Sequence, residues 1–479
     1  MWNSFLMNKN RAVVLAALLC LAAAFPLRAQ VSLSETSSGK NVFPLSTKTC
    51  AAIMYDATSE PSVVGTAVGL LASDIEKVTG RVPSVSGNGS VPASCRYAVI
   101  AGTLGHSSLI DELVRDRKID VSSISGEWEC YAVRLVEAPL KGVRRALVVV
   151  GSDRRGTAYG LLSLSRAIGV SPWYWWMDAP VEHRNSIYLL VNAYDAATPS
   201  VKYRGIFIND EDWGLLRWAK RNFEKELGNI GPKTYEKVCE LLLRLNANML
   251  APAMHEASTA FYQIPQNKEI ADRYGIIITA SHCEPLLLNT ASEWHKDRYG
   301  DWNYNTNSER IDSVLNARVV ETSPYENAYV IALRGLHDRA MSGAENLDSR
   351  KSTVQRALLN QRKILSDVLG KDASEIPQFF TPYKEVLDVY NQGLELPDDV
   401  TIVWPDDNYG YMKRLSGPKE QLRSGRSGVY YHSSYLGRPH DYLWMNTTSP
   451  TLMYEELRKA YDSTADRYWL LNSGAIKSC

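Results

Sequence analysis

The chain has 479 residues, long enough for two or three domains. Hydrophobic residues make up 45% of it and charged residues 22%, which is typical of a globular protein with a full core and argues against disorder. Lys and Arg together number 53, and so do Asp and Glu, so there is no net charge to attract a nucleic acid or an anionic membrane. Ligands must therefore be recognised locally.

Residues 1–29 have the pattern of a secretory signal peptide. Lys9 and Arg11 precede an apolar stretch over 12–25, and Ala29 is a small residue at the expected cleavage point. The apolar stretch is shorter than the roughly 20 residues that a membrane span needs, and no later stretch qualifies. We therefore expect an exported protein, periplasmic or extracellular, without a membrane span.

Residues 30–195 are predicted to form an α/β accessory domain. The strand-like stretches "AAIMY", "YAVIAG", "CYAVRLV" and "ALVVVGS" are separated by helical ones, including "VVGTAVGLLASDIEKVTG" and "TAYGLLSLSRAIG". This alternation predicts a sheet covered by helices.

Residues 196–479 show a different pattern, which repeats and is typical of a (β/α)8 barrel. Helical stretches such as "YEKVCELLLRLNA" separate most of its strand-like segments. There are eight of these segments: "YRGIFIND", "NMLAPAM", "GIIITASH", "AYVIALRG", "PQFFTPYKE", "VTIVWPDD", "GVYYHSSYL" and "YWLLNSGAI".

The active site of such a barrel lies at the C-terminal ends of its strands. Ionisable and polar side chains stand at the ends of several of the predicted strands, which random loops would seldom arrange. These candidate site residues are Asp210, His282, Glu284, Arg334, Asp338, Lys384, Glu385, Asp406, Asp407, Asn408 and His432.

Converging carboxylates, with no phosphate loop and no metal-binding Cys or His spacing, favour glycoside hydrolysis. One carboxylic acid protonates the leaving oxygen, and a second carboxylate acts as base or nucleophile. Arg334, Lys384 and His282 would suit a sugar that carries a carboxylate, since Arg offers such a group two parallel hydrogen bonds. Aromatic residues near the same ends are candidates for stacking on sugars: Trp213, Trp404, Tyr409, Tyr431 and Trp444.

These candidates also have structural interpretations, which the sequence leaves open. Asp210 could cap a helix or form an Asx turn, and Asp407 could form a turn before "NYG". His282 could be a barrel histidine with satisfied hydrogen bonds. Arg334 could form an ion pair with Asp338.

An ordered set of motifs resembles the glycoside hydrolase family 115 α-glucuronidases. The barrel motifs are "RGIFINDED", "NANMLAPAM", "ADRYGIIITASHCEP", "IALRGLHDRAM", "PYKEVLDVYNQG", "VWPDDNYGY" and "YYHSSYLGRPHDYLWMNT". The segment "GSDRRGTAYGLLSLSRAIGVSPWYWWMDAPV" is similar to the accessory α/β domain of that family, which is of the hexosaminidase domain 2 type. The resemblance covers nearly the whole chain after the signal peptide.

The resemblance implies an exo-acting, inverting enzyme that releases α-1,2-linked glucuronic acid, or its 4-O-methyl ether, from glucuronoxylan or aldouronic acids. It implies Glu385 as general acid and Asp338 as general base, although the two could be exchanged. The other candidates, including Trp404, would position the uronic acid. The mechanism requires no metal and no cofactor, and a homodimer is compatible with the sequence.

Three departures from the family pattern bear on activity. Cys283 stands where the family usually has a histidine, and Leu336 and His337 replace the middle of its usual "RGDGD". Family members also continue past the eighth strand, so we expect the barrel of this chain to be truncated after that strand.

Two further functions stay open at this point. One is a catalytically impaired xylan-binding relative of the family, which would bind sugar without releasing product. The other is a hexosaminidase-like glycosidase, since those enzymes also place a small α/β domain before a barrel. A substrate panel would separate the two enzymes.

Overall fold

The computed structural model describes residues 31–88, 90–92, 95–437, 441–443 and 446–476. The predicted signal peptide and Trp444 lie outside these described residues. Within the described ranges, every helix is too short or too polar to cross a membrane.

The N-terminal part contains a six-stranded sheet and a three-stranded antiparallel sheet. Its strands are β1 (Val31–Leu33), β2 (Val42–Ser46), β3 (Ala52–Met54), β4 (Val85–Ser86), β5 (Tyr97–Thr103), β6 (Tyr131–Glu137), β7 (Arg145–Gly151), β8 (Ile187–Val191) and β9 (Tyr194–Ala196). The larger sheet has the order β4-β3-β5-β7-β6-β9, and the smaller one β1-β8-β2. Pairing in the larger sheet is parallel except along β6, which is antiparallel to β7 and β9. Because β9 belongs to this sheet, the predicted boundary at 195 falls within a strand.

Three helices cover the larger sheet: α1 (Ser62–Thr79), α2 (Ser108–Arg115) and α3 (Arg154–Ala167). The carboxylate of Asp153 caps α3 by accepting hydrogen bonds from the backbone N–H groups of Arg155 and Gly156. Helix α1 ends at Gly80, whose φ of 67° is a left-handed conformation that glycine adopts without strain. Apolar faces of α1 and α3 pack on one side of the sheet, and α2 packs on the other. These layers confirm the α/β prediction.

The second part is a parallel eight-stranded barrel. Its strands are β10 (Tyr203–Ile208), β11 (Met249–Ala251), β12 (Ile277–Ile278), β13 (Tyr329–Val330), β14 (Gln378–Phe380), β15 (Thr401–Pro405), β16 (Ser427–His432) and β17 (Tyr468–Gly474). The ladder order is β12-β11-β10-β17-β16-β15-β14-β13. The backbone N–H of Ala328 donates to the carbonyl of Ile278 at 2.9 Å and joins the two end strands. The eight strands match the eight predicted from the sequence.

Helices surround most of the barrel. They are α4 (Leu215–Trp218), α5 (Pro232–Arg244), α6 (Pro265–Arg273), α7 (Lys296–Tyr299), α8 (Tyr304–Thr322), α9 (Leu347–Leu369), α10 (Glu385–Asn391) and α11 (Pro450–Asp462). Between β15 and β16 the described chain forms only a short 3-10 turn, Glu420–Leu422. Inside the barrel, alternate strand residues such as Phe207, Phe379, Val403 and Tyr468 form a separate apolar core.

Buried ion pairs join the two parts. Glu129, in the N-terminal part, accepts hydrogen bonds from Arg155 of its own part and from Arg204 and Asn248 of the barrel. The Glu129 side chain is fully buried. One apolar core also runs from α1 and α3 into barrel helices α5 and α6. The N-terminal part and the barrel therefore share a desolvated interface.

Candidate active site

A cavity of about 250 Å³ opens at the C-terminal ends of the barrel strands. Its wall combines carboxylates, imidazoles and tyrosines from the loops that follow six strands. The lining residues are Phe207, Asn209, Asp210, Met254, His255, Ser281, His282, His337, Asp338, Tyr383, Lys384, Tyr430, His432, Tyr435 and Leu436. Five of the predicted site residues are among them: Asp210, His282, Asp338, Lys384 and His432.

A cluster of two cations and two carboxylates forms one side of this cavity. The buried Arg334 binds Glu385 through two hydrogen bonds, Nη2 to Oε2 at 2.8 Å and Nε to Oε1 at 3.1 Å. Its Nη1 pairs with Asp338, whose other oxygen lies 3.0 Å from Nζ of Lys384. Of these four residues only Asp338 and Lys384 line the cavity, and Arg334 and Glu385 stand behind them. The predicted acid and base are thus bridged by one guanidinium.

His282 is neutral in this setting. Burial, and then the nearby cations Arg334 and Lys384, hold the pKa of His282 well below its ordinary value. Its Nε2 lies 2.7 Å from Oδ1 of Asp338. A neutral imidazole with the proton on Nε2 donates this hydrogen bond and adds no charge to the cluster.

Asp210 is a buried carboxyl on the opposite side of the cavity. It follows β10 with a φ of 59° and precedes the short 3-10 helix Glu211–Trp213, but its side chain makes no capping hydrogen bond to that helix. Burial raises the pKa of Asp210 to about 6 against the influence of His255, and Glu211 and Asp212 add to the rise. Its Oδ2 is buried without a hydrogen-bond partner. This carboxyl can hold a proton under mildly acidic conditions.

His432, which lines the cavity, is hydrogen-bonded to the buried Asp406. Nδ1 of the buried His432 pairs with Oδ1 of Asp406, whose Oδ2 accepts the backbone N–H of Gly410 at 2.9 Å. The ring of His432 lies 4.6 Å from that of Tyr430. Asp406 therefore orients His432 and fixes the turn after β15.

Five of the predicted substrate-binding residues are not among those that line the cavity: Glu284, Arg334, Asp407, Asn408 and Trp404. Glu284 is buried behind the loop and accepts the backbone N–H of Ser281 at 3.1 Å; burial raises its pKa to about 8. Asp407 accepts the N–H groups of Tyr409 and Tyr411, so it forms the turn that was its alternative interpretation. Trp404 is fully buried, and its indole N–H donates to Ser416, which leaves no face for a sugar.

Asn408 and the aromatic candidates Tyr431 and Trp213 also lie outside the lining of the cavity. Asn408 stands behind the wall and accepts a hydrogen bond from the hydroxyl of Tyr383 at 3.1 Å. Tyr431 is buried, with its hydroxyl donating to the carbonyl of Gly410. Trp213 is 53% exposed, and the guanidinium of Arg217 lies over its ring at 5.9 Å from the centroid.

Sequence reasoning missed several lining residues, above all His255 and Tyr383. His255 comes after β11, and the candidates predicted from the sequence include no residue at the end of that strand. Applying the strand-end rule to "NMLAPAMHE" finds it. Tyr383, Tyr430 and Tyr435 carry no such signal, because tyrosine is equally common in barrel cores.

The described residues hold one group with the composition of a metal site. His282, Cys283 and Asp338 place their ligand atoms within 4.8 Å of one another. Asp338, however, is already neutralised by Arg334 and Lys384, two cations that would repel a metal ion. Burial also raises the pKa of the Cys283 thiol to about 12. The donor set therefore does not fit a metal.

Comparisons with known proteins identify related folds and a family. The structure of BtGH115A, a 4-O-methyl-α-glucuronidase with specificity for decorated arabinogalactans, is 40% identical to the chain with a TM-score of 0.83. The match covers 91% of this chain and 55% of that one, so the chain spans about half the length of this neighbour. An N-acetyl-β-hexosaminidase from Streptomyces plicatus has a TM-score of 0.51 at 12% identity, covering 93% of this chain and 84% of its own, which shows a shared fold alone.

No curated protein matches the chain. The model of glycosyl hydrolase family 115 matches residues 196–479, which include all eight barrel strands and the whole cavity. The match covers more than half of the chain and agrees with the 40% identity to BtGH115A. The chain therefore belongs to glycosyl hydrolase family 115.

Proposed function

We propose that this protein is an exported α-glucuronidase that hydrolyses the bond between a (4-O-methyl-)glucuronic acid side group and a polysaccharide, with inversion. The observation that carries the proposal is the cavity itself, which is lined by the cation Lys384 and by two carboxylates, Asp210 and Asp338, with the guanidinium of Arg334 paired to Asp338 from behind. Cations suit a sugar acid, and a pair of carboxylates suits glycoside hydrolysis. The similarity to BtGH115A supports the same activity.

Recognition of the uronic acid rests on the cation cluster. The charges of Arg334 and Lys384 are balanced in this structure by Asp338 and Glu385. A bound uronate competes with Asp338 for Lys384 and for one side of the Arg334 guanidinium, while Glu385 keeps the other side in place. The exchange frees the Asp338 carboxylate to accept a proton from water.

The protonation states favour Asp210 as the general acid. A general acid must hold a proton at the working pH, and the pKa of Asp210 is raised to about 6. Burial acts on Glu385 in the same direction, but its hydrogen bonds to Arg334 prevail and lower the pKa of Glu385, so it stays charged. We therefore assign proton donation to Asp210, proton acceptance to Asp338 and positioning of Arg334 to Glu385. Asp210 thus takes the role of general acid that the family resemblance implies for Glu385.

The polysaccharide is a separate question. A cavity of about 250 Å³ is smaller than the roughly 300–1,000 Å³ typical of ligand pockets and suits a single sugar residue, so it selects the uronic acid and not the backbone. Glucuronoxylan is our proposed substrate. Decorated arabinogalactan is the second candidate, because BtGH115A is described as specific for it.

The test is release of uronic acid, measured by chromatography, from glucuronoxylan, aldouronic acids and a glucuronic acid-decorated arabinogalactan. We expect release by the wild type, and a loss of about 10²–10⁴-fold in kcat for Asp210→Asn, the range attributed to general acid catalysis. Glu385→Gln tests the alternative acid, and Glu182→Gln, on an exposed ion pair, is the matched control.

Three results would contradict the proposal. Full activity of Asp210→Asn would remove the assigned acid. Calorimetric binding of aldouronic acids without release would identify the impaired binding protein. Hydrolysis of an aryl N-acetylglucosaminide without uronic acid release would favour the hexosaminidase-like enzyme.

A further inference from the structure

His255 lies between the buried Asp210 and the more exposed Asp212. We propose that His255 is a positioning residue that returns a proton to Asp210 after each turnover. The inference rests on the proposed function, in which Asp210 donates its proton to the leaving oxygen.

Both ring nitrogens of His255 face oxygen acceptors. Nδ1 lies 3.1 Å from Oδ1 of Asp212. Nε2 lies 3.2 Å from Oδ1 of Asn209 and 3.6 Å from Oδ1 of Asp210. An imidazolium carries protons on both nitrogens and can donate to the oxygens on both sides at the same time.

The loop holds the ring in this place. The backbone N–H of His255 donates to Oε1 of Glu211 at 2.8 Å, and Ser258 donates to the same oxygen. Glu211 is itself fully buried. The loops after β10 and β11 are therefore joined directly behind the ring, which limits its movement.

Exposure changes stepwise along the three side chains. The Asp210 side chain is 4% exposed, that of His255 16% and that of Asp212 36%. A buried carboxyl covered by a sugar cannot exchange protons with bulk water directly. His255, which lines the cavity and is more exposed than Asp210, can take up a proton from solvent and pass it to the buried carboxylate.

The transfer balances as follows. Asp210 gives its proton to the glycosidic oxygen as the C–O bond breaks, and that oxygen keeps the electron pair. The resulting Asp210 carboxylate takes the proton from Nε2 of the His255 imidazolium. The neutral ring keeps its proton on Nδ1, and Nε2 regains a proton from solvent once the product has left the cavity that His255 lines. The proton that Asp338 took from water leaves to solvent.

The pH dependence involves every ionisable group that faces these two. Asp210 faces His255, Glu211, Asp212 and His432. Besides the carboxylates, His255 faces the ring of His337 at 5.4 Å between centroids. Burial raises the pKa of Asp210, and a cation at His255 opposes that rise. Loss of the cation should therefore raise the pKa of Asp210 further.

The experiment compares pH profiles of kcat on aldouronic acids for the wild type, His255→Gln, His255→Ala and the exposed control His106→Gln. Glutamine keeps a hydrogen-bond donor but cannot take up or release a proton in this pH range. We expect His255→Gln to lose at least tenfold in kcat with little change in KM. The alkaline limb of its pH profile should shift to higher pH. Free imidazole should restore part of the activity of His255→Ala.

An unchanged profile for His255→Gln, or no rescue by imidazole, would overturn the inference while leaving the proposed function intact. If the wild type released no uronic acid, the proposed function would fail instead. The inference then has an independent readout, the infrared carbonyl band that Asp210→Asn removes. The pH at which half of this Asp210 band has disappeared should be higher in His255→Gln than in the wild type. An unchanged midpoint would refute the electrostatic coupling between His255 and Asp210.

Discussion

At the scale of single residues, the two carboxylates that face the cavity differ in their surroundings. Asp210 has no cation in hydrogen-bond contact and leaves one buried oxygen without a partner. Asp338 is held by Arg334, Lys384 and His282. One carboxyl is therefore suited to keep a proton and the other to stay ionised, which is the division of labour that inverting hydrolysis needs.

The raised pKa of Asp210 predicts an acidic pH optimum. A general acid works only while protonated, so kcat/KM should fall as the pH rises through about 6, the pKa of Asp210. Rates of uronic acid release from an aldouronic acid between pH 4 and 9 provide the measurement. Constant activity up to pH 9 would exclude Asp210 as the acid.

Arg334→Lys should weaken recognition of the charged sugar. Lysine cannot hold Glu385 through two hydrogen bonds and also face a uronate, because it lacks the planar fork of arginine. Losing a hydrogen bond to a charged group costs about 1.5–3 kcal/mol, so kcat/KM should fall by about 10- to 100-fold. The methyl ester of the same substrate is the comparison, and an equal loss on the ester would argue against carboxylate recognition.

At the scale of elements, the short barrel strands depend on close backbone contact. Gly205 in β10 pairs with Met249 in β11. A Cβ atom at Gly205 would lie 1.8 Å from the carbonyl oxygen of Met249, so the strands would have to separate. No side chain can be accommodated at this position.

Gly205→Ala should therefore destabilise the protein by about 1–3 kcal/mol, the usual cost of overpacking. Gly69→Ala is the matched control, because Gly69 lies on the exposed face of helix α1 with nothing within 4 Å of an added Cβ. It should be neutral or stabilising by up to about 1 kcal/mol. Thermal unfolding measures both, and equal midpoints would contradict the strand argument.

At the scale of the whole molecule, the buried ion pairs make the accessory domain part of the barrel's support. Glu129 contacts Arg204 at the start of β10 and Asn248 just before β11, the strands that lead to Asp210 and His255. A shift at this interface would move both strands. The accessory domain thus contributes to placing the site although none of its described residues lines the cavity.

Glu129→Gln should cost about 3 kcal/mol, the lower end of the range for breaking a buried pair, because Arg204 loses its carboxylate partner while Arg155 keeps Glu326. We expect one unfolding transition for both domains, shifted to lower temperature, in calorimetry. Glu182→Gln, on an exposed pair with Arg184, should leave the midpoint unchanged. Two separated transitions in the wild type would show that the domains unfold independently.

The order of strands and helices in both domains can be predicted from the sequence alone, since periodicity and turn residues are local properties of the chain. The same holds for the approximate level of the site, because every barrel strand ends on one face. Arg334, Asp338 and Lys384 were found in this way.

Which side chains at that level face the cavity depended on packing between distant loops. Trp404 lies near the end of β15 and Glu284 follows β12, yet both are buried and neither lines the cavity. The raised pKa of Asp210 arises from burial by several elements at once, and the position of His255 depends on Glu211 of another loop. Desolvation and contacts between segments far apart in the chain arise only when the chain has folded, so no local pattern encodes them.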